Sequence, residues 1–291
     1  MITSKNIKYK IHKYNSDEWN KILSLFDDAS IYHTNGFIKH SVGGENAEHF
    51  VVYNSEEIIA AANIRIKTIP TLNRGVAHLR WGPLWQLKDE ELNIDVFRIA
   101  LEKLYEEYVV KRKLVLRITS NQYVEEENNF TKIFNEVGFK LFMNPDKTIV
   151  IDISKDEETL RKNFRKKWRY SLKQAEKKDL TIVKGNSQEL FDEFVKIYKE
   201  MHSRKNFEET VSVDNFKEIN DDLLAENKLQ IFICKYGDEP LSAMVSTALG
   251  NSGIYLLGGS TTEGLKMSSS YLLQWETMMW LKSLGKRWYD L

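Results

Sequence analysis

Positive charge is concentrated in one stretch of the sequence, where the residue types indicate contact with phosphate groups. Residues 161–178 contain nine lysines and arginines and one acid, Glu176, whereas the whole chain has 42 basic and 42 acidic residues. Phe164, Trp168 and Leu172 recur every four residues, so a helix here would bury them and expose the cations. Such a surface suits a phosphate-rich partner, because each neutralised phosphate releases counterions. A solvated helix with long charged side chains is the alternative.

Composition restricts the class of protein. The chain has 291 residues, of which 42% are hydrophobic and 12% aromatic, and its formal net charge is zero. These values predict a sizeable core and exclude general coating of DNA, so we expect no DNA partner. The single cysteine, Cys234, excludes a disulfide framework and cysteine-rich metal sites. Six histidines without ligand spacing predict that no metal is bound.

The ends and the hydropathy of the chain bear on its location. The first residues lack the apolar core of a signal peptide. No stretch reaches the roughly 18 apolar residues that a membrane span needs. We therefore expect a cytoplasmic protein without an integral membrane segment.

The sequence contains two copies of one pattern: a hairpin, a third strand, a helix and a further short strand. In the first copy these elements are predicted at residues 50–65, 77–82, 94–111 and 113–117. In the second copy they are predicted at residues 230–246, 253–258, 269–284 and 287–291. The repeated order predicts two α/β modules, and a single continuous sheet is the alternative.

The joint between the copies is expected near residues 144–146, before a strand at 148–153. We therefore predict two domains, 1–147 and 148–291. The first copy continues past its last strand through a polar helix and a further strand. The second copy stops at Leu291, within its expected last strand, so we expect it to lack its final elements.

Particular motifs carry a resemblance to known families. With Asn135–Phe139 closing the first copy, the order of elements resembles the GNAT acyltransferase fold. The sequence also resembles the Fem family of peptidoglycan-bridge aminoacyltransferases, in the compact FemX-like form. The resemblance lies in residues 162–177, 255–260 and 270–276 and in the closing Tyr289-Asp290-Leu291. The resemblance implies an α/β (α+β) fold of two tandem GNAT-like domains, each a mixed twisted sheet flanked by helices.

The same resemblance implies a reaction and its partners. The enzyme would move an aminoacyl group from aminoacyl-tRNA to an amine of a cell-wall (peptidoglycan) precursor, a nucleotide-linked or lipid-linked muramyl peptide. No cofactor is implied. In this interpretation the cations on the basic helix contact RNA or phosphate, and they are Arg165, Lys166, Lys167, Arg169 and Lys173.

Several residues are implied to bind substrate. Lys39, in the segment His33–Lys39, resembles the family lysine that contacts the diphosphate of the nucleotide-linked peptide. Taken without the resemblance, the residue favours an ordinary surface lysine. Its expected arginine partner would fall near residues 210–211, where there is none, and Arg204 with Lys205 are the substitutes. Tyr255 matches a family tyrosine. Two departures, Thr119 for an acid and Leu257 for a second tyrosine, weaken the case for the muramyl acceptor.

Further candidates come from the expected acyl transfer, which needs donors for an oxyanion and an acceptor for one proton. Backbone N–H groups around Gly258 could bind the oxyanion or the donor, and Asp290 or the leaving group could take the proton. Ser268 is expected to cap the following helix and to touch a ligand. Trp81 would line a cleft or seal the underside of its domain.

Two alternative functions stay open. The first is an acyl-CoA-dependent GNAT N-acyltransferase acting on an amino sugar or surface polysaccharide precursor, with acetyl-CoA as donor. The stretch 260–270, read as a loop, has Gly264 but no second glycine, which disfavours the pyrophosphate cradle such enzymes need. The second alternative is a non-catalytic module that binds RNA or a nucleotide-sugar through the basic helix.

Overall fold

The computed structural model describes residues 6–41, 44–69, 74–121, 127–142, 147–205 and 212–291. The chain divides into two compact units, Met1–Lys147 and Thr148–Leu291. Each unit has one mixed sheet flanked by helices, so the predicted fold class is confirmed. Within the described ranges, no helix has the length and apolar character that crossing a bilayer requires.

The first unit is built on a sheet of strand order β1-β2-β3-β4-β5. Its strands are β1 (Ile7–His12), β2 (Ala47–Asn54), β3 (Glu57–Ile69), β4 (Arg74–Arg80) and β5 (Val115–Thr119). Its helices are α1 (Ser16–Leu23), α2 (Asn35–Lys39), α3 (Ile94–Leu104) and α4 (Glu127–Val137), and a π-helical segment, Tyr105–Lys111, continues α3. All neighbouring strands are antiparallel except β4 and β5, which are parallel.

The two faces of this sheet differ in character. Side chains alternate along a strand, and Ile64 and Leu79 on one face pack with Phe97 of α3 in the core. The next residues along the strands, such as Arg65 and His78, therefore lie on the opposite face. That face is polar and basic at its β4–β5 side.

The second unit has the strand order β6-β11-β10-β9-β8-β7. Its strands are β6 (Val150–Asp152), β7 (Leu180–Gly185), β8 (Gln230–Tyr236), β9 (Glu239–Thr247), β10 (Ser252–Ser260) and β11 (Trp288–Asp290). Its helices are α5 (Glu157–Asn163), α6 (Lys166–Glu176), α7 (Gln188–Lys205), α8 (Phe216–Asp221), α9 (Thr262–Met267) and α10 (Ser269–Ser283). Only the β10–β11 pair is parallel among these registered neighbours.

The predicted duplication is present in the sheets. Strands β1 to β5 and β7 to β11 follow the same order, and in each sheet the last pair is the parallel one. The predicted hairpins correspond to β2–β3 and β8–β9, and the predicted helices to α3 with its π segment and to α10. Strand β6 is an addition that pairs antiparallel with the outer edge of β11.

Three predicted elements differ in the structure. The basic stretch is not one helix, because Phe164 and Arg165 are extended between α5 and α6. This break lets the rings of Phe164 and Trp168 pack with centroids 4.0 Å apart. The stretch expected as a loop at 260–270 contains α9, which begins where Thr261 Oγ1 accepts a hydrogen bond from Gly264 N at 3.0 Å. The further strand expected after the polar helix of the first copy is not present in residues 139–142, the described residues that follow α4 and its closing turn.

Candidate active site

A cavity of about 460 Å³ lies in the second unit. This volume is within the range of roughly 300–1,000 Å³ that is usual for small-molecule sites. Its walls are largely apolar, and five aromatic side chains belong to them. They are Phe164, Trp168, Tyr255, Tyr271 and Tyr289.

One wall of the cavity is the second half of β10. The ladder between β10 and β11 covers Ser252–Ile254 and extends no further in the part of the chain that the structure describes. Just beyond it, the register between β10 and β9 shifts between Tyr255 and Leu257, which is a β-bulge. A bulge bends its strand and changes the direction of nearby side chains, a common arrangement beside functional sites. Gly258 and the two residues after it line the cavity as a result.

The two glycines of β10 are required by close approach. A Cβ on Gly258 would lie 2.1 Å from the hydroxyl of Tyr255 and 2.8 Å from its ring. A Cβ on Gly259 would lie 3.2 Å from the carbonyl oxygen of Ile197 in α7. Glycine therefore lets the Tyr255 ring lie directly over the strand and lets α7 pack against it.

Tyrosine hydroxyls are among the polar groups of this largely apolar site. Burial raises the pKa of Tyr255 from its ordinary value of 10, so its hydroxyl is neutral and able to donate a hydrogen bond. Burial also raises the pKa of Tyr289, whose hydroxyl donates to Gln274 Oε1. Tyr255 is thus the candidate donor to a substrate oxygen.

Two cations at the end of α7 lie at the open side of the cavity. Arg204 and Lys205 both line it and both are exposed. Arg204 donates from Nη2 to the carbonyl oxygen of Ser260 at 2.8 Å and from Nη1 to Thr262 Oγ1 at 3.0 Å. These bonds hold the guanidinium at the point where β10 leads into α9.

Helix α6 belongs to the cavity and to the basic surface at once. Trp168 lines the cavity, where its ring meets Tyr271 edge-on at a centroid distance of 5.8 Å. Leu172 on the same side is buried. The five cations predicted to contact phosphate are all exposed: Arg165, Lys166, Lys167, Arg169 and Lys173.

Few of these cations are engaged within the protein. Arg169 donates to the carbonyl oxygen of Lys162 at 2.6 Å. The nearby ion pair, at 2.7 Å, joins Arg161 to Glu176. Among the residues that the structure describes, Lys166 and Lys167 form no salt bridge. Their charges therefore face solvent, where a phosphate could approach.

The structure brings four of the predicted substrate-binding residues together: Arg204, Lys205, Tyr255 and Gly258 all line the cavity. Ser268 occupies the N-cap of α10 in a left-handed conformation, with φ of 58°, and makes no side-chain capping bond. Its neighbour Ser270, and not Ser268, is among the lining residues.

Asp290 lies beside the cavity but is not part of its lining. Its neighbours Tyr289 and Leu291 line the cavity, so alternation along β11 directs Asp290 to the other face. Its Oδ1 accepts a hydrogen bond from Thr148 Oγ1 at 2.5 Å. Burial raises the pKa of its carboxyl group.

The remaining predicted residues belong to the first unit. Lys39 is the exposed last residue of α2. Trp81 is half-buried, its ring stacks on Tyr32 at 5.5 Å, and its carbonyl oxygen lies 2.6 Å from His33 Nε2. The expected place of the missing arginine, residues 210–211, is outside the described residues. The roles assigned to all of these side chains stay predictions.

Sequence reasoning missed part of the site. Phe164 and Trp168 were expected in the core, but both line the cavity. Their four-residue spacing cannot distinguish a core from a cavity wall, because both are apolar. The aromatic residues Tyr271 and Tyr289 and the amide of Gln274 were not anticipated. In the ranges described, no group of three or more histidine, cysteine, aspartate and glutamate residues could hold a metal ion.

Comparison with known proteins identifies a domain family that matches part of the sequence and solved structures with a similar fold. Residues 160–291 match the acetyltransferase (GNAT) domain family. The structure is similar to FemX, with a TM-score of 0.76 and 15% identity over 97% of this chain and 88% of that one. It is also similar to a conserved protein of unknown function from Bacteroides thetaiotaomicron VPI-5482, with a TM-score of 0.62 and 9% identity over 98% of this chain and 90% of that one.

A third similar structure is the C-terminal domain of a protein described as a lysylphosphatidylglycerol synthetase from Agrobacterium fabrum, with a TM-score of 0.56 and 12% identity over 95% of this chain and 77% of that one. No curated protein sequence matches the chain. At these identities the structural likenesses establish the fold, and the domain match supports the expected acyltransferase class. The chain thus has a FemX-like fold of two units that repeat one strand order, and residues 160–291, in the second unit, match the acetyltransferase (GNAT) domain family.

Proposed function

We propose that the protein is an aminoacyltransferase that moves an aminoacyl group from aminoacyl-tRNA to an amine of a peptidoglycan precursor. The observation that carries the proposal is the double role of α6. Trp168 on this helix forms part of the cavity wall, while the exposed cations Lys166 and Lys167 lie within two residues of it. The aminoacylated end of a tRNA could therefore enter the cavity while the phosphates of the RNA contact the basic side chains of α6.

The aromatic lining fits the terminal nucleoside of such a donor. Every base has a π-face, so stacking on an aromatic side chain needs no particular sequence. Trp168 and Phe164 offer such faces next to the cations of α6. The cations Arg204 and Lys205, at the open side of the cavity, offer further contacts for the backbone phosphates.

The proposed chemistry is direct transfer without a covalent enzyme intermediate. The acceptor amine attacks the ester carbonyl, a C–N bond forms, and the bond to the ribose oxygen breaks. The hydroxyl of Tyr255 donates a hydrogen bond to the oxygen that becomes negative, and N–H groups of β10 near Gly258 add to it. The proton lost by the amine passes to the departing ribose oxygen, because Asp290 lies on the other face of β11. The proposal requires no cofactor.

An acyl-CoA-dependent N-acyltransferase is the second candidate, and one observation favours it. Among the described residues that line the cavity, the charged side chains are the cations Arg204 and Lys205, and no Asp or Glu side chain is among them to meet the ammonium group of an aminoacyl donor. An uncharged acyl group needs no such partner. In this case the two cations would contact the phosphates of the coenzyme.

A transfer assay separates the candidates. Purified protein is incubated with a muramyl-pentapeptide nucleotide and either a mixture of radiolabelled aminoacyl-tRNAs or labelled acetyl-CoA. We expect labelled product from the tRNA donor, and product from acetyl-CoA alone would replace the proposal with the second candidate. Tight RNA binding without turnover by either donor would instead support a non-catalytic module.

A charge variant links the result to α6. In the triple variant Lys166→Gln, Lys167→Gln, Arg169→Gln, the slope of log affinity for tRNA against log salt should fall by about two to three. The matched control is Lys21→Gln, Lys88→Gln, Lys217→Gln, three exposed lysines outside the basic surface. An equal change of this slope in both triple variants would mean that the cations of α6 do not contact the tRNA phosphates.

A further inference from the structure

The lining of the cavity in the second unit changes from its open side to its closed end. Several lining residues are exposed and mark the open side, among them Leu265, Arg204 and Lys205. Met244 of β9 and Met278 of α10 line the same cavity but are only 2% and 1% exposed. The cavity therefore ends against buried methionine side chains.

The residues of α10 that line the cavity show how its parts are arranged. Tyr271, Gln274 and Met278 are three and four residues apart, so they lie along one side of the helix. The ring of Tyr271 meets Trp168 of the basic helix, with the centroids 5.8 Å apart. Met278 lies about 10 Å further along the helix axis. An aromatic part and a methionine part are thus separated, with Gln274 between them.

Gln274 is a polar group whose amide is oriented by the fold. Tyr289 is fully buried, and its hydroxyl donates to Gln274 Oε1. The two N–H groups of Nε2 remain, and they make no hydrogen bond within the described ranges of the chain. Because Gln274 lines the cavity, these groups are available to donate to a ligand there.

The closed end of the cavity is apolar. Its lining residues are each at most 2% exposed, and we call them the apolar end: Ala243, Met244, Leu273 and Met278. A charged group placed there would lose its hydration without gaining a partner, whereas an apolar group would fill the space. Methionine side chains are unbranched and polarisable, so they adapt to apolar groups of different outline. The apolar end therefore suits a class of large apolar groups.

We propose that the apolar end binds the side chain of the donated aminoacyl group and selects a large apolar one, of the leucine and methionine class. The inference rests on the proposed function, whose donor it narrows. With the terminal nucleoside at Trp168 and Tyr271, the ester lies beside Gln274, and the side chain extends toward Met278. Gln274 Nε2 then adds a second donor, after Tyr255, to the carbonyl oxygen.

The selection follows from what other side chains would leave in the apolar end. One methylene group in an apolar pocket changes discrimination roughly tenfold or more, so glycine and alanine lose affinity because the space stays empty. Lysine and glutamate lose affinity because their charges would be buried without a partner.

The test compares RNA minihelices that differ only in a non-hydrolysable 3′-aminoacyl amide. Leucyl and methionyl forms are titrated beside glycyl, alanyl, lysyl, glutamyl and uncharged forms. We expect the leucyl or the methionyl form to bind at least tenfold more tightly than each of the others. If a glycyl, alanyl, lysyl or glutamyl form binds as tightly, and more tightly than the uncharged form, this inference is wrong while the proposed function stands. Equal affinity of every form would overturn both.

Matched variants of α10 locate the selection. Met278→Trp fills the apolar end and should abolish the preference for the leucyl over the glycyl form. Met279→Trp changes a residue that is not among the described residues lining the cavity, and it should keep the preference. The melting temperature and the binding of the uncharged minihelix show whether each variant is folded. Ala243→Val adds less volume at the same end and should lower the preference roughly tenfold. An unchanged preference in Met278→Trp or in Ala243→Val would overturn the inference.

The amide is tested separately. Gln274→Leu should weaken the binding of the leucyl form about tenfold, because a hydrogen bond to the carbonyl oxygen is lost, and should leave the uncharged form unaffected. The control is Gln188→Leu, which removes an amide that donates to Asp192 Oδ1 at 2.7 Å on α7. Equal binding of the leucyl form by both variants would contradict the role of Gln274.

Discussion

The last strand pair of each sheet differs between the two units. In the first unit, β4 and β5 are registered over five residue pairs, from Val76 with Val115 to Arg80 with Thr119. A further bond from Trp81 N to the carbonyl oxygen of Thr119, at 2.7 Å, extends this pairing. In the second unit, β10 and β11 are registered over three pairs, after which β10 bulges and borders the cavity.

This difference shows how one duplicated topology can provide two kinds of surface. The bulge and the glycines of β10 place backbone and the Tyr255 ring at a cavity. The regular β4–β5 pair instead presents a continuous face, on which Arg65, His78 and Arg117 are aligned. Because β1 to β5 and β7 to β11 follow the same order, the local pairing of the last strands, and not their order, accounts for the two surfaces.

The largest effect is expected from removing the space over β10. In Gly258→Ala, the new methyl group would overlap the Tyr255 hydroxyl, so the ring must leave its position. Misplacement by about 1 Å costs roughly a hundredfold in rate, and kcat/KM for transfer should fall at least that much. The control is Gly185→Ala on β7, where the nearest atom to a Cβ is the end of the Leu190 side chain. An equal loss of kcat/KM in both variants would contradict the claim that the space above Gly258 is needed for transfer.

The second largest effect on activity is expected from removing one tyrosine hydroxyl in the second unit, and the same change in the first unit is its control. Tyr255→Phe should lower kcat about tenfold to a hundredfold, because it removes a hydrogen bond of about 1–3 kcal/mol at the reacting oxygen. Tyr108→Phe removes a hydroxyl that donates to Glu48 Oε1 at 2.6 Å in the first unit. That change should reduce stability by about 1 kcal/mol and leave kcat unchanged. Steady-state kinetics measures kcat and denaturant titration measures the free energy of unfolding for each variant. A lower kcat in Tyr108→Phe, with kcat unchanged in Tyr255→Phe, would contradict the role assigned to Tyr255.

A pair of tryptophans should separate binding from stability. Trp168→Ala removes a stacking surface worth about 1–3 kcal/mol, and KM for the donor should rise about tenfold. Trp85 is buried in the core of the first unit. Trp85→Ala should therefore lower the free energy of unfolding by about 3–5 kcal/mol and leave the KM of the folded protein unchanged. If Trp168→Ala changes only the free energy of unfolding, the side chain is core and not cavity wall.

The smallest effect concerns pH and the first unit. Burial lowers the pKa of His33, and it lowers the pKa values of His49 and His78 to about 4. Between their unfolded value of about 6.5 and these folded values the unfolded chain binds more protons, so stability falls as pH falls. Asp28, whose pKa burial raises to about 7, acts in the opposite direction but is a single group.

Hydrogen exchange at pH 7 and pH 5, corrected for intrinsic rates, measures this pH effect in each unit separately. The second unit contains one histidine, His202. The first unit should therefore lose more protection than the second on acidification. An equal loss in both units would mean that the buried histidines do not govern the difference.

Much of the fold could be predicted from the sequence, because hairpins and amphipathic helices leave regular patterns. The two copies and the helices α3 and α10 follow from apolar periodicity and repeat order. The break between α5 and α6 could not be predicted, since it depends on Phe164 packing against Trp168 and not on a proline or glycine. The helix α9 was missed because its stretch was read as a ligand loop.

The candidate site was predicted only in part. Tyr255 came from the resemblance, and Arg204 and Lys205 came as substitutes for an arginine that it implies. Gly258 came from the backbone donors that acyl transfer needs, and all four line the cavity. The bulge at Leu256 leaves no mark in the sequence, because it arises from the pairing of β10 with β9. The alignment of Arg65, His78 and Arg117 across the first sheet was also hidden, since these residues are far apart in the chain and meet only through strand register.

The most direct test of the account measures donor binding to the cavity. RNA minihelices carrying a non-hydrolysable 3′-aminoacyl amide, one for each amino acid, are titrated against wild-type protein and Gly258→Ala, with the uncharged minihelix as reference. The account predicts that at least one aminoacylated minihelix binds wild-type protein at least tenfold more tightly than the uncharged one, and that Gly258→Ala abolishes this preference while retaining RNA binding. Equal affinity of wild-type protein for charged and uncharged minihelices would contradict the claim that the cavity holds the aminoacyl group.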